Sequence, residues 1–92
     1  GPAEVEEAIE KHPAVAEAGI VGIPDPEKGQ ITKAFVVLKE GHEGSDEFFE
    51  ELKTFLKEHI AIYKLPREIE YRSELPRTPN GKLLRRHLRP AK

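Results

Sequence analysis

The sequence contains no cysteine, so disulfide bonds and cysteine-ligated metal sites are excluded, and a reducing compartment is expected. No apolar run approaches the roughly 20 residues that a transmembrane helix needs. There is no signal-peptide or targeting pattern, which leads us to expect a cytoplasmic protein without a membrane span. Internal repeats and linkers are also missing. With 37% hydrophobic and 35% charged residues, the 92 residues are expected to form one globular domain.

Acidic residues are missing from one end of the chain. Residues 77–92 hold six Lys or Arg and no Asp or Glu, whereas residues 1–63 hold fourteen acidic residues against six basic ones. A basic end on an acidic body predicts a polyanionic partner on one side of the domain. Residues 77–92 also lack Phe, Tyr and Trp, and no nucleic-acid-binding motif is present. These features favour a nucleotide or coenzyme phosphate over nucleic acid.

Two longer helices are indicated by end signals and hydrophobic spacing. The first begins at Pro2 and ends at Pro13, and His12 is expected to pack at the edge of the core. Ser45 is a good N-cap for the second, whose apolar positions recur at helical spacing as far as His59. Their apolar stripes are expected to cover a sheet.

Three β-strands are predicted, over residues 14–23, 31–39 and 67–73. A six-residue loop, 24–29, separates the first two strands and favours an antiparallel pair. The second helix lies between the second and third strands, which predicts a parallel β-α-β unit. With a short last helix, the order is α-β-β-α-β-α. The fold class is therefore α+β, a small three-stranded sheet with helices packed on it.

The chain is organised around a turn that leads into the basic end. Asn80-Gly81 is a strong turn dipeptide, and it is expected to present Lys82 where the last helix begins. A P-loop is excluded, because Pro76 stands in place of its first glycine and Leu83 in place of its Ser or Thr. Leu84 and Leu88 could then face the core. A basic helix that only caps the domain is the structural alternative.

The same turn carries a resemblance to a known family. Residues 75–85, Leu-Pro-Arg-Thr-Pro-Asn-Gly-Lys-Leu-Leu-Arg, resemble the L-P-[KR]-T-x-x-G-K-[ILV]-x-R signature that closes the adenylate-forming enzymes. That superfamily includes acyl-CoA synthetases, adenylation domains of nonribosomal peptide synthetases, and luciferases. Five further blocks resemble its small C-terminal subdomain in the same order: residues 4–9, 12–15, 21–29, 33–38 and 63–67.

The resemblance implies the mobile C-terminal (lid) domain, residues 1–92, of an AMP-forming acyl-CoA synthetase. The substrates would be ATP, a carboxylate and coenzyme A. The large N-terminal domain, which would bind Mg²⁺, is not in this sequence. The isolated chain is therefore expected to catalyse nothing and to carry no metal site or bound cofactor. The alternatives are a stand-alone phosphate-binding or protein-interaction module, or the end of a carrier-protein-loading adenylation domain.

The resemblance also assigns roles within the turn. Lys82 matches the catalytic lysine of adenylation, and Thr78, Asn80 and Gly81 form its supporting turn. Family members are acetylated at lysines with the P-x-x-x-x-G-K spacing that Pro76 to Lys82 shows. A protein lysine acetyltransferase is therefore an expected partner, and acetylation would remove the charge that adenylation needs.

Contacts to coenzyme A are implied for residues outside the turn. Lys28 and Lys57 would bind phosphates, and Tyr63 would offer a stacking surface. The structural alternative for the lysines is solvated surface charge, and for Tyr63 it is a half-buried ring. Gln30 departs from the family pattern, in which a glutamate is frequent at that position.

Overall fold

The computed structural model describes residues 1–90. In chain order its elements are α1 (Pro2–Glu10), β1 (Val15–Asp25), β2 (Gly29–Leu38), α2 (Asp46–Leu56), a first 3₁₀ turn (Ile62–Lys64), β3 (Glu68–Tyr71) and a second 3₁₀ turn (Arg85–His87). The α+β class and the order α-β-β-α-β are confirmed.

Both helices begin where their end signals place them. Pro2 stands in the first turn of α1, and the Ser45 hydroxyl caps α2 by accepting the Phe48 N–H at 2.9 Å. His12 is buried beyond the end of α1, as predicted. Its Nδ1 accepts the Ala14 N–H, so the neutral ring donates through Nε2 to Glu51 at 2.8 Å. Within residues 1–90, no helix is long and apolar enough to cross a bilayer.

The sheet has the strand order β1-β2-β3, with β1 antiparallel to β2 and β2 parallel to β3. Both predicted pairings are thus confirmed. The predicted six-residue loop is wrong, because the ladder continues to the pair Asp25 and Gly29. The Asp25 carboxylate accepts the N–H groups of Glu27 and Lys28, and Gly29 adopts a positive φ of 81°, so a tight turn suffices.

Side chains alternate between the two faces of the sheet and build two cores. One face packs against the helices and contributes buried residues such as Ala18, Ala34 and Val36. The opposite face carries Val21, Phe35 and Val37, and the segment after β3 covers them with three leucines: Leu75, Leu83 and Leu88. This second core places the basic end of the chain against the sheet.

The predicted last helix is wrong. Residues 77 and 83 form an antiparallel bridge, and the Leu84 N–H donates to the Pro76 carbonyl at 2.9 Å, so residues 76–84 are a hairpin. Helical turns can begin only at Arg85, and Pro90 cannot continue them because it has no N–H. The segment is therefore limited to a single 3₁₀ turn. Lys82 lies in the hairpin rather than in the first turn of a helix.

Candidate functional site

The hairpin of residues 76–84, here called the Lys82 hairpin, is the candidate site. Its tip is closed by two short bonds: Gly81 N–H to the Thr78 carbonyl at 2.8 Å, and Thr78 N–H to the Lys82 carbonyl at 2.9 Å. Gly81 has a φ of +88°, a conformation in which a Cβ would be strained. Asn80 is exposed within the turn. The tip is thus a tight turn whose backbone groups bond to one another.

The main chain of Lys82 is held on both sides while its side chain points out. The Lys82 N–H donates to the Thr78 hydroxyl at 3.0 Å, and its carbonyl accepts the Thr78 N–H. The residue is exposed, and none of the ion pairs formed within residues 1–90 involves its ammonium group. The hairpin therefore presents a charged ammonium on a flexible stem from a fixed backbone.

Arg77 connects the tip of the hairpin to β1. Its Nη1 donates to the Gly81 carbonyl at 2.8 Å, while Nε and Nη2 donate to Glu17 Oε1 at 3.0 and 2.9 Å. The two ion-paired side chains are each 35% exposed. Sequence reasoning did not identify Glu17, since a single acidic residue on a predicted strand looks like an ordinary solvated charge.

The base of the hairpin approaches β1 closely. A Cβ added to Gly19 would lie 2.9 Å from Cδ2 of Leu83, a separation that atoms do not normally adopt. Leu83 packs on the second core and Leu88 is buried there, whereas Leu84 is only half-buried and outside that core. The expectation that Leu84 faces the core is wrong. Leu83 takes this place because the hairpin, unlike a helix, alternates its side chains.

Arg85 ties the end of the chain to α1 and to the free edge of β1. Its Nη2 lies 2.7 Å from both carboxylate oxygens of Glu6, and its Nε donates to the Ile20 carbonyl at 3.2 Å. Glu6 also accepts the Ile20 N–H at 2.8 Å, and its side chain is only 12% exposed. Through these contacts Arg85 holds the segment after the hairpin to the domain.

The three residues expected to contact coenzyme A lie on different elements. Lys28 is exposed in the turn between β1 and β2, and Lys57 is exposed at the end of α2. Tyr63 is 85% exposed, next to Ile62 at 71%, in the first 3₁₀ turn. The half-buried alternative for Tyr63 is therefore wrong. Its ring is open to solvent and is available for stacking.

Two pockets that the sequence did not predict are lined partly by basic side chains. One, of about 310 Å³, lies beside residues 20–22 of β1 and includes Lys64, Arg85 and Arg89. Lys64 donates to Glu4 at 2.6 Å, and this hydrogen bond lowers the pKa of Glu4 and raises that of Lys64. None of Lys28, Lys57, Tyr63 or Lys82 lines this pocket.

The second pocket, of about 330 Å³, lies on the hairpin side of the sheet. Lys33 and Arg72 sit over the Phe35 ring, 5.0 and 5.1 Å from its centre, and both bond to Glu70. Both hydrogen bonds lower the pKa of Glu70, and the bond from Lys33 has the larger effect. The only sequence signal for either pocket is the surplus of basic residues near the end of the chain. Within residues 1–90, no group of three or more His, Cys, Asp or Glu residues is arranged to hold a metal ion.

Comparison with known proteins gives the family. Residues 4–82, which include the Lys82 position, match the sequence profile of the AMP-binding enzyme C-terminal domain. The chain belongs to this family. This AMP-binding enzyme C-terminal domain is 51% identical, over 97% of its length, to the acetyl-coenzyme A synthetase of Bacillus subtilis. It is 49% identical, also over 97%, to 4-hydroxybutyrate–CoA ligase 1 of Metallosphaera sedula.

Solved structures agree with this assignment. The acyl-CoA synthetase of Brucella canis superposes on this AMP-binding enzyme C-terminal domain with a TM-score of 0.92 at 49% identity. A benzoate CoA ligase from Burkholderia xenovorans gives 0.88 at 44% identity. The chain spans only 16% of the two curated relatives named above, and 16% and 18% of the two crystallised chains. The resemblance inferred from the signature is confirmed at the level of this domain.

Proposed function

We propose that this chain is the mobile C-terminal domain of an ATP-dependent, AMP-forming carboxylate–CoA ligase, in which Lys82 acts during acyl-adenylate formation. The observation that carries the proposal is the geometry of Lys82 within a domain of this family. Its backbone is held on both sides by Thr78, and its ammonium group is exposed at the tip of the hairpin. A larger domain of the parent protein would bind ATP and Mg²⁺.

The chemistry explains why a lysine is needed at this position. A carboxylate oxygen attacks the α-phosphorus of ATP, an acyl-phosphate bond forms, and the bond to pyrophosphate breaks. Two anions must approach, and negative charge moves among the phosphate oxygens as pyrophosphate leaves. An ammonium on a flexible stem can bridge the carboxylate and α-phosphate oxygens in the transition state. Because the supporting turn is rigid, little ordering of the backbone is required at that moment.

The second half-reaction would use another surface of the domain after rotation. The coenzyme A thiol would then attack the acyl carbon, giving the thioester and AMP. Lys28 and Lys57 are proposed to contact coenzyme A phosphates and Tyr63 to stack on a planar group. The exposure of all three, with Tyr63 at 85%, supports this assignment. The cytoplasmic location remains an expectation from the sequence.

Acetylation is proposed as the regulation of the same lysine. Lys82 is exposed at the tip of the hairpin, so a protein lysine acetyltransferase can reach its ammonium group. Converting the ammonium to an amide removes the charge that adenylation requires. Acetylated protein should therefore lose acyl-adenylate formation, and deacetylation should restore it.

The test separates the two half-reactions in a ligase that contains this chain. Lys82→Ala should lower carboxylate-dependent pyrophosphate exchange by at least about a hundredfold. Thioester formation from supplied acyl-adenylate and coenzyme A should remain near the wild-type rate. Lys39→Ala, which changes an exposed lysine beyond the end of β2, is the matched control and should leave both rates unchanged. Equal rates for wild type and Lys82→Ala in pyrophosphate exchange would overturn the proposal.

The isolated chain provides a second check. With ATP, Mg²⁺, acetate and coenzyme A, it should form no acetyl-CoA, because one lysine without the opposite wall of the active site cannot orient ATP. Turnover by the purified chain would mean that the domain contains a complete site and that the proposal is wrong.

A further inference from the structure

The peptide group that precedes Lys82 is held at both of its polar ends. Its carbonyl oxygen, on Gly81, accepts from Arg77 Nη1 at 2.8 Å, and its N–H, on Lys82, donates to the Thr78 hydroxyl at 3.0 Å. Rotating this peptide plane by half a turn would break both bonds. It would also change the direction in which the Lys82 side chain leaves the backbone.

Gly81 alone would not prevent such a rotation. Without a Cβ, glycine populates positive and negative φ about equally well, and a Cβ added to Gly81 would meet nothing within 4 Å. Rotating the plane turns ψ of Gly81 together with φ of Lys82, and on the Gly81 side there is no Cβ and no neighbouring side chain to oppose it. The bonds at the two ends of the plane, from Arg77 Nη1 to the Gly81 carbonyl and from the Lys82 N–H to the Thr78 hydroxyl, hold it in the observed orientation.

Arg77 can make this bond only because Glu17 orients its guanidinium. Nε and Nη2 face the Glu17 carboxylate at 3.0 and 2.9 Å, which leaves Nη1 directed at the Gly81 carbonyl. A guanidinium is planar, so fixing one side also fixes the other. A lysine ammonium has no such rigid fork. The contact therefore extends from β1 of the sheet to the peptide next to Lys82.

We propose that Glu17 and Arg77 are positioning residues for the Lys82 ammonium, acting as a clamp on the Gly81–Lys82 peptide. The inference rests on the proposed function for its catalytic consequence, but its structural part stands on these contacts alone. Neither residue touches the substrates. They determine how often the Lys82 side chain leaves the hairpin in the direction required for adenylation.

Nuclear magnetic resonance on the 92-residue chain tests the structural part. In the wild type, ¹⁵N relaxation dispersion of Gly81 and Lys82 should be flat. In Glu17→Gln and Arg77→Lys, both amides should show microsecond-to-millisecond exchange because the peptide plane is freed. Arg72→Lys, which alters the ion pair with Glu70 on the same side of the sheet but no hydrogen bond of the hairpin, is the matched control and should stay flat. Flat profiles in both clamp variants would overturn the inference.

A charge exchange distinguishes the clamp from a simple ion pair. Glu17→Arg combined with Arg77→Glu restores opposite charges, but a carboxylate at position 77 cannot donate to the Gly81 carbonyl. Conformational exchange of the Gly81 and Lys82 amides should therefore persist in the double variant, while its thermal unfolding midpoint returns to near the wild-type value. If the double variant gives flat profiles, the ion pair alone is sufficient and the inference fails.

Kinetics of a ligase that contains this chain test the catalytic part. Arg77→Lys should lower kcat for adenylation by about ten- to a hundredfold, with the KM values for ATP and carboxylate unchanged. Thioester formation from supplied acyl-adenylate should keep its rate. If Lys82→Ala abolishes adenylation while Arg77→Lys and Glu17→Gln retain wild-type kcat, the clamp inference is overturned and the proposed function stands. If Lys82→Ala itself retains activity, the proposed function is overturned.

Discussion

Glu6 and Arg85 are 79 positions apart in the chain, yet Arg85 Nη2 lies 2.7 Å from both oxygens of the Glu6 carboxylate. The pair joins the first helix to the segment that follows the Lys82 hairpin. The Ile20 N–H donates to Glu6, and the Ile20 carbonyl accepts from Arg85. The position of the hairpin on the sheet therefore depends partly on contacts made at its far end.

Removing the guanidinium should destabilise the domain. In Arg85→Ala, the half-buried Glu6 carboxylate loses its counter-charge and the Ile20 carbonyl loses a donor, so the free energy of unfolding should fall by about 2–3 kcal/mol. Arg86→Ala, an exposed neighbour, should cost less than about 0.5 kcal/mol. Urea denaturation of both variants is the measurement. Equal stabilities for the two would contradict the structural role of Arg85.

Two glycines with similar positive φ values should differ only in function. Gly81 and Gly41 have φ values of +88° and +90°, and a Cβ on either would meet nothing within 4 Å. Alanine at each position should therefore lower the free energy of unfolding by a similar amount, about 1 kcal/mol. If the proposed function holds, only Gly81→Ala should also lower adenylation in a ligase that contains this chain, since Lys82 follows it directly. Loss of adenylation in Gly41→Ala as well would indicate a general effect of stability.

Gly44 should be intolerant of any side chain. An added Cβ would overlap the ring of Tyr71, whose hydroxyl donates to the Ser45 carbonyl at 2.7 Å. Gly44→Ala should displace the ring and cost about 1–3 kcal/mol of unfolding free energy. At Gly22 the added Cβ would meet only the end of the flexible Gln30 side chain, which can move. Thermal unfolding should show a much larger loss for Gly44→Ala than for Gly22→Ala.

Acid should weaken the domain partly through Glu70. Hydrogen bonds from Lys33 and, to a smaller extent, from Arg72 hold the pKa of Glu70 below its ordinary value of 4.5. The native state therefore favours the carboxylate. The stabilisation is complete above the ordinary pKa and is lost as the pH falls through the lowered one. In Glu70→Gln, the loss of stability between about pH 5 and pH 3 should be smaller than in the wild type. Lys33→Gln should reduce the same loss, and identical acid profiles for all three proteins would contradict the assignment.

Local signals in the sequence predict most of the fold. Helix α2 is signalled by the Ser45 cap and by the helical spacing of the apolar residues that follow it, all within one short stretch of sequence. The antiparallel pair that turns between Asp25 and Gly29 is likewise signalled by residues close together in the chain. The last segment was predicted incorrectly because a tertiary contact decides it. Leu83 gains more by packing against Gly19 in a hairpin than residues 82–89 would gain from forming a short helix beside Pro90.

In the candidate site, too, local features could be predicted from the sequence and long-range contacts could not. The turn at Lys82 was predicted because it lies within one short signature, and the role of Lys82 stays a prediction. Glu17 was missed because its bond to Arg77 crosses 60 positions and no local pattern records it. The proposed contacts of coenzyme A remain predictions, since residues such as Lys28 and Tyr63 are simply exposed.

The free edge of β1 has a consequence for association between molecules. An edge strand with open N–H and carbonyl groups is a template on which a second chain can add a strand. Here the Ala18 N–H donates to Glu10 and the Ile20 N–H to Glu6, while Arg85 occupies the Ile20 carbonyl. An incoming strand would first have to displace these charged side chains. These side chains therefore protect the domain against polymerisation through the edge of its sheet.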